Sequence, residues 1–495
     1  MNPWPKHPVI YEINTWVWLG ELSRKCGRPV TLAAVPQEEW DELSSFGADA
    51  VWFMGVWERS PVGTAIANRN PGLVSDFQRA LPDFRPADNV GSPYCVRRYA
   101  ADERLGGRKG LAAARSELAR RGLRLILDFV PNHVAPDHPW VVDHPAYLVQ
   151  GNAGDAVDDP ASFFAAGDKV FACGRDPFFP AWPDVLQLNA FNPDLRRAVV
   201  ATLADIAGQC DGVRCDMAML LLNQIFERTW GHRAGQRPTA EYWADVIPAV
   251  KNTHPGFLFM AEAYWDLEWE LQQQGFDYCY DKRLYDRLER DSAENVRLHL
   301  CADLAYQEKL VRFIENHDEP RAAAAFPGER LRAAAVASLT LPGARLLHEG
   351  QFEGRHVRLP VFLGRRPAET PDEKLKEFYR RLLEVVGGDT LKAGEWRLCD
   401  CSGWPDNSSW RHLVAWCWSR GAERCLVVVN LSAGPAQARL RLPWDPAGGA
   451  DIILKDVFSG STCTRARTET VEFGLFVDLP AWGYHVFTLG AHGTP

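Results

Sequence analysis

Short apolar runs alternate along most of the chain with longer stretches in which apolar positions recur every three or four residues. The first pattern is that of buried strands, and the second that of helices packed on them by one face. The strand candidates are VIYEIN (9–14), DAVWFMG (49–55), LRLILDFV (123–130), DGVRCDMA (211–218), GFLFMAEA (256–263), YCYDKRLY (278–285), VRFIEN (311–316) and ARLLHEG (344–350). The helix candidates between them include GGRKGLAAARSELARRG (106–122) and NPDLRRAVVATLADIAGQ (192–209), where Asn192 is placed to cap and Pro193 to start the first turn. SAENVRLHLCADLAYQEKL (292–310), GERLRAAAVASLTLPG (328–343) and PDEKLKEFYRRLLEVVGG (371–388) follow. Strands alternating with helices predict an α/β protein, a (β/α)8 TIM barrel, whose site lies at the C-terminal ends of the strands.

Two segments break this rhythm. Residues 134–187 follow the third strand, are rich in Gly, Asp, Pro and Phe, and are too long for a structureless loop. They predict a small inserted domain leaning over the site. Beyond about residue 395 the pattern becomes HLVAWCWSR (412–420), CLVVVNLS (425–432), QARLRLPW (437–444), DIILKDVF (451–458), TVEFGLFVDLP (470–480) and YHVFTL (484–489), which predicts an all-β sandwich. The expected division is therefore barrel over 1–133 and 188–395, insert over 134–187, and C-terminal β domain over 396–495.

Composition narrows the partners. The 495 residues are 46% hydrophobic and 24% charged, which suits a large globular protein of more than one domain. Fifty-five basic and 64 acidic residues leave a net charge of −9 without a basic cluster, so nucleic acid and anionic membranes are not the expected partners. No basic segment followed by an apolar one opens the chain, and no run approaches the ~18 apolar residues of a membrane span. A soluble protein is expected, cytoplasmic if bacterial. The 12 cysteines contain no CxxC pair, and the nearest two, Cys399 and Cys401, are too close in sequence to bridge without strain, so reduced structural thiols are expected. Nineteen Trp and an aromatic content of 11% suit an uncharged ligand with apolar faces and polar edges, such as a sugar.

The candidate chemistry sits where the strands end. LILDFVPNH carries Asp128, Asn132 and His133; GVRCDMA carries Arg214 and Asp216; FLFMAEA ends in Glu262; and FIENHDE holds His317 and Asp318. Acids at strand ends can also cap helices or bind Mg²⁺. Arg214 lies two residues before Asp216 and so on the same side of its strand, where it would keep that carboxylate ionised as a nucleophile requires. Glu262 ends an apolar run that should raise its pKa and keep it protonated as an acid. Asp216 and Glu262 are thus candidates for the two carboxylates of a glycosidic displacement, with Asp318 stabilising positive charge on the sugar. Taken alone, His133 reads as closing a turn, Tyr94 as a turn residue, and Trp57, Trp140, Trp182 and Trp265 as core, with stacking on sugars the alternative.

With these motifs in order the chain resembles the α-amylase family, glycoside hydrolase family 13. DFVPNH (128–133), GVRCDMA (212–218), FMAEA (259–263) and FIENHDE (313–319) resemble its four motif regions, supported by GADAVWFMGV, GSPYCVRRY (91–99), VLQLNAFNPDLR (185–196) and LPAWGYHVFTL. The resemblance implies a retaining mechanism on α-glucosides. Asp216 would be nucleophile, Glu262 acid/base and Asp318 transition-state stabiliser, with Arg214, His133, His317, Asp128 and Tyr94 lining the sugar subsite. An oligosaccharide or smaller sugar is the implied substrate, and no cofactor is required. Calcium is left open, since Asn132 can be a ligand in the family and Asp155, Asp158 and Asp159 lie in the insert; a solvated acidic loop is the simpler account of those acids.

The chain departs from the family where many amylases carry a Lys-His pair touching the leaving-group sugar. Met219 and Leu220 stand there, which argues against an endo-amylase of long starch. Gly55 stands where relatives commonly have Pro. APDHPWVVDHP (135–145) and HEGQFEGR (348–355) resemble branches that transfer maltosyl units from a phosphorylated donor, so α-glucan transfer is the alternative to hydrolysis. A non-catalytic amylase-like scaffold would lack the carboxylates or carry a membrane segment, and a phosphometabolite barrel would need a better phosphate loop than HEGQFEG. None of these features sets the oligomeric state.

Overall fold

The computed structural model describes residues 3–444 and 451–489. Eight parallel strands close a barrel in sequential order: β1 (Val9–Asn14), β2 (Ala50–Met54), β3 (Arg124–Phe129), β4 (Gly212–Cys215), β5 (Leu258–Ala261), β6 (Tyr278–Tyr280), β7 (Leu310–Arg312) and β8 (Ala344–His348), with β8 returning to pair with β1. Every residue of β1, β2, β4, β5 and β8 is buried. Helices cover one face of each strand and side chains fill the other, which is why these strands read as continuous apolar runs. The helix Pro193–Gln209 starts at Asn192, whose Oδ1 accepts the N–H groups of Asp194 and Leu195 at 2.8 and 3.3 Å.

Several elements differ from expectation because a polar residue captures the backbone. The strand expected over 278–285 stops at Tyr280, since Asp281 Oδ1 accepts the Leu284 N–H at 3.0 Å and starts the helix Lys282–Arg290. The single helix expected over 292–310 is two, Ala293–Leu300 and Leu304–Gln307, the second capped by Asp303. The ladder expected over 311–316 ends at Arg312, and Asn316 begins a turn by accepting the N–H groups of Asp318 and Glu319, both at 2.9 Å.

The 134–187 region carries a four-stranded antiparallel sheet in the order His133–Val134, Trp182–Gln187, Lys169–Gly174, Phe163–Ala166. Towards the C-terminus a six-stranded and a three-stranded antiparallel sheet face one another. Leu413–Arg420 is buried on both faces: Val414, Trp416 and Trp418 pack towards the barrel, while Leu413, Ala415 and Cys417 pack between the sheets. The Trp416 and Trp418 indoles both donate to the Thr340 carbonyl of the barrel, at 3.2 and 2.7 Å. The strand expected over 470–480 begins only at Leu475, because Arg467–Phe473 coils into a helix that Gly474 (φ 90) ends. The expected C-terminal segment includes 445–450 and 490–495, and the first barrel segment 1–2, all outside the described residues. All twelve cysteines are unbridged. Among the described residues no helix is long and apolar enough to cross a membrane.

After β2 the chain also builds what the apolar pattern did not announce. A short ribbon pairs Trp57–Arg59 with Val96–Ala101 and encloses the helices Pro61–Arg69 and Pro71–Ala80. Phe77, Ala80 and Leu81 share a small core with Leu363, and Phe362 and Leu359 pack on it. Val90 N–H donates to Phe362 O at 2.8 Å, and Arg365 holds Asp88 at 2.7 and 2.8 Å. The loops after β2 and β8 are thus tied into an arch on the C-terminal side of the barrel.

Candidate active site

Arg214 gathers the site. It is the third residue of β4, fully buried, and its guanidinium lies 5.1–5.7 Å from the rings of Tyr94, Trp52 and Tyr280, which places it in the mouth of the barrel. Nη1 donates to Asp216 Oδ1 at 2.6 Å, while Nη2 lies 2.9 Å from Glu262 Oε2 and 3.9 Å from Asp318 Oδ2. Three carboxylates, following β4, β5 and β7, therefore meet one cation. The i, i+2 relation of Arg214 and Asp216 along an extended backbone accounts for the first contact.

The carboxyls are in unequal surroundings. Glu262 is almost wholly buried, and burial, reinforced by Asp216 and Asp318 and opposed by Arg214, pushes its pKa up to about 7. Its Oε2 accepts the Met217 N–H at 2.5 Å and its Oε1 the Tyr264 hydroxyl at 3.0 Å. Met217 delivers that N–H from a left-handed conformation (φ 44) that long side chains rarely adopt. Asp318, with 38% of its side chain exposed, goes the other way: burial resists ionisation, but His317 and Arg214 outweigh it and hold the carboxyl below its ordinary range.

His317 is biased towards its charged form. Burial disfavours its charge, yet Asp318 and Glu12 raise its pKa well above the usual value. Nε2 lies 3.0 Å from Asp318 Oδ2 and 2.6 Å from the Tyr94 hydroxyl, and Nδ1 bonds Glu12. The polar tail of VRFIENHDE thus has divided duties. Glu315 pairs with Arg321 at 2.9 Å beneath the site, Asn316 makes the turn, His317 and Asp318 face the site, and Glu319 pairs with Lys282 at 3.3 Å.

Asp128 is the cross-strand neighbour of Arg214. Its Oδ2 accepts the Gly55 N–H at 3.2 Å, its Oδ1 is buried without a protein partner, and burial raises its pKa to about 6. Gly55 has φ 79, and a Cβ there would come within 2.4 Å of Arg59 Nη2. Proline could neither adopt that φ nor supply the N–H, so the family's common residue does not fit this strand end. His133 is buried, and burial lowers its pKa; it opens the inserted sheet, and its ring meets the edge of Trp182 at 5.4 Å.

Arg214, Asp216, Glu262, Asp318, His317 and Tyr94 are joined by direct contacts. Asp128 flanks them, and His133 links them to the insert. Glu12, Trp52, Tyr264 and Tyr280 escaped the sequence reading. Glu12 had a signal: it is a lone charge inside the apolar run VIYEIN, and it is fully buried. The tryptophans divide. Trp57 is core, its indole donating to Asp128 O at 2.7 Å, and Trp140 packs on His138 and Tyr147. Trp182 and Trp265 lie on the insert side of the site.

A cavity of about 370 Å³ opens beside His317 and Asp318, walled by Leu73, Arg79, Arg358 and Phe362 of the arch. A larger one of about 760 Å³ lies at the opposite end of the barrel. Its acids Asp211, Asp277 and Glu308 are each engaged by a cation at 2.6–2.7 Å, so it holds no comparable chemistry. Two of the four residues considered for calcium are engaged by protein groups. Asn132 Oδ1 accepts from Gln187 at 2.9 Å, and Asp155 is held by Arg233 at 2.7 and 2.9 Å. Among the described residues no group of three or more His, Cys, Asp or Glu is placed to hold a metal ion.

An eight-stranded barrel with three carboxylates at its strand ends, an insert after β3 and a β domain behind it has the architecture of α-amylase-type proteins. No family model matches the chain. Alpha-amylase MalA of Haloarcula japonica is 24% identical over 481 residues, 95% of this chain and 61% of that protein. Trehalose synthase/amylase TreS of Mycobacterium tuberculosis is 24% identical over 279 residues, 52% of this chain and 40% of its own length. The chain thus spans less than two thirds of these curated relatives. The structure of a noncanonic maltogenic alpha-amylase, AmyB of Thermotoga neapolitana, superposes with a TM-score of 0.70 at 19% identity, covering 98% of this chain and 99% of that one. An alpha-amylase of Geobacillus thermoleovorans complexed with acarbose gives 0.66 at 15% identity over both whole chains. By fold and by the order of its motifs the chain is similar to proteins of the α-amylase family.

Proposed function

We propose that the protein is a retaining α-glycosidase acting on α-linked gluco-oligosaccharides by double displacement. The observation that carries this reading is the Arg214 guanidinium, which holds Asp216 and Glu262 on its two nitrogens, with burial pushing Glu262 up to about 7. Two carboxylates on one guanidinium suit the ~5–5.5 Å of a retaining pair better than the ~6.5–9.5 Å that leaves room for a water. Asp216 attacks the anomeric carbon while Glu262 gives its proton to the glycosidic oxygen. The C–O bond breaks, and a covalent glucosyl-Asp216 ester forms. Glu262, now ionised, takes a proton from water or an acceptor hydroxyl, whose oxygen displaces Asp216 with a second inversion. Ionised Asp318 stabilises the positive charge between these steps. His317, Tyr94, His133 and Asp128, with its unpaired Oδ1, hold the hydroxyls of the reacting ring. The same reading divides the chain into barrel (1–133 and 188–395), insert (134–187) and C-terminal β domain, and takes an oligosaccharide as the partner and the cytoplasm as its place.

Transfer to a sugar acceptor is the second reading. The arch favours it, because its walls enclose the Asp318 side and suit short substrates better than an internal stretch of starch. Mass-spectrometric product analysis of maltoheptaose, with and without glucose and inorganic phosphate, tests both. Shorter products alone mean hydrolysis; longer chains, or a sugar phosphate made only with phosphate, mean transfer. No reaction with maltoheptaose, sucrose or trehalose refutes the glycosidase reading.

A further inference from the structure

We infer that Glu12 is a positioning residue for the reaction: from β1 it keeps His317 protonated on both ring nitrogens, so that Nε2–H remains a donor towards Asp318 and the hydroxyls of the reacting ring. The inference rests on the double-displacement reading, which sets His317 and Asp318 against that ring. The surroundings of the two nitrogens carry it. Nδ1 bonds Glu12 Oε1, while Nε2 lies 3.0 Å from Asp318 Oδ2 and 2.6 Å from the Tyr94 hydroxyl. A neutral imidazole has one N–H and one lone pair. With a carboxylate at each nitrogen, the neutral ring would turn its lone pair on one of them, whereas the doubly protonated ring donates to both. Tyr94 stacks on the ring and Trp52 meets it at 81°, both with centroids 5.5 Å away, so it holds one orientation.

The two carboxylates differ in what else they hold. Asp318 is 38% exposed, has Arg214 Nη2 at 3.9 Å, and faces the sugar. Glu12 is fully buried, its Oε2 has no hydrogen-bond partner, and among the described residues no Lys or Arg bonds it. A carboxylate out of water is costly unless a cation meets it, which leaves Glu12 and His317 as each other's counter-charge. His348, the cross-strand neighbour of Glu12 on β8, does not compete. Its Nδ1 is engaged by Arg321 Nη1 at 2.7 Å and lies 3.1 Å from Glu315 Oε1, and burial and Arg321 lower its pKa well below the usual value. Of the other charges bearing on the ring, Asp128 on β3 favours its proton, while Arg214 on β4 and Arg358 after β8 oppose it from beside Asp318. Glu12→Gln leaves an oxygen for Nδ1–H but removes the charge. The ring then gives up its Nε2 proton at lower pH, and Asp318 loses the donor that orients it.

The test reads His317 directly. In enzyme labelled with ¹⁵N in its 13 histidines, the ring resonances missing from His317→Gln follow this titration. The wild-type ring should stay protonated through pH 8, and in Glu12→Gln it should lose its proton about two pH units or more lower. The kcat/KM of Glu12→Gln for maltotriose is taken relative to wild type at each pH, so that the Glu262 titration common to both cancels. That ratio should be near the wild-type level at pH 5 and fall about tenfold or more by pH 8, chiefly through kcat. Glu12→Asp, which restores the charge, should give a ratio independent of pH. With an active wild type, a wild-type ring already neutral at pH 7, or a Glu12→Gln ratio that does not change with pH, would overturn the inference and leave double displacement standing. A wild type inert towards maltotriose would overturn that reading and this one with it.

Discussion

Replacing Asp216 by Asn tests the centre of the mechanism twice, because the same carboxylate is both the proposed nucleophile and a source of the Glu262 pKa. Asn keeps the shape, and its amide oxygen can still accept from Arg214 Nη1, now 2.6 Å from Asp216 Oδ1. At the ~5.5 Å of a retaining pair and an effective dielectric of ~20, the repulsion between two carboxylates is about 3 kcal/mol, or about 2 pKa units. Arg214 offsets part of this, so Glu262 should fall by about 1–2 units from about 7 towards 4.5. The infrared band of the protonated carboxyl, followed through pH with Glu262→Gln as the blank, reads that shift. Turnover of maltotriose should drop by about 10⁴-fold or more, as the covalent step is lost. Azide should restore reaction of α-glucosyl fluoride and yield the β-azide, since it enters from the face the carboxylate occupied. A Glu262 titration that does not move would mean the two acids do not sense each other, and near-native turnover without azide would remove Asp216 from the nucleophile's place.

The remaining predictions concern the groups around that pair. Glu262→Gln should abolish activity yet stabilise the fold. The folded pKa of about 7 lies above the ordinary 4.5, so ionisation penalises folding fully above pH 7 and progressively less down to pH 4.5. Denaturant unfolding should show a gain of up to about 3 kcal/mol at pH 8 and almost none at pH 4; a gain independent of pH would contradict the assignment. Gly55→Ala should cost about 1–3 kcal/mol in the same assay, because φ is 79 and the new Cβ meets Arg59, whereas Gly122→Ala, also left-handed but without neighbours, should cost less. Tyr94→Phe removes the hydroxyl 2.6 Å from His317 Nε2 and should lower kcat/KM about tenfold with the fold retained; an unchanged kcat/KM would leave Tyr94 a packing residue.

Much of this molecule is written in local order. Arg214 and Asp216 had to share a side once GVRCD was extended, because side chains alternate along a strand. The apolar run before Glu262 announced a buried acid, and burial pushes its pKa up to about 7. Asn192 capped its helix as its position implied. Where polar residues compete for the backbone, the apolar pattern misled: Asp281, Asp303 and Asn316 each started a new helix or turn through a side-chain hydrogen bond that periodicity does not record. What the chain could not show was partnership across distance. Glu12 and His317 lie 305 residues apart, and only barrel closure, with β8 returning to β1, makes one the counter-ion of the other. The arch between the helices at 61–80 and the loop at 357–363, and the meeting of Phe178 with Trp265, likewise depend on segments packed late and from afar. Strand alternation and burial are local rules and so legible one segment at a time; shape, and the charge partners that tune each carboxyl, arise only when the segments meet.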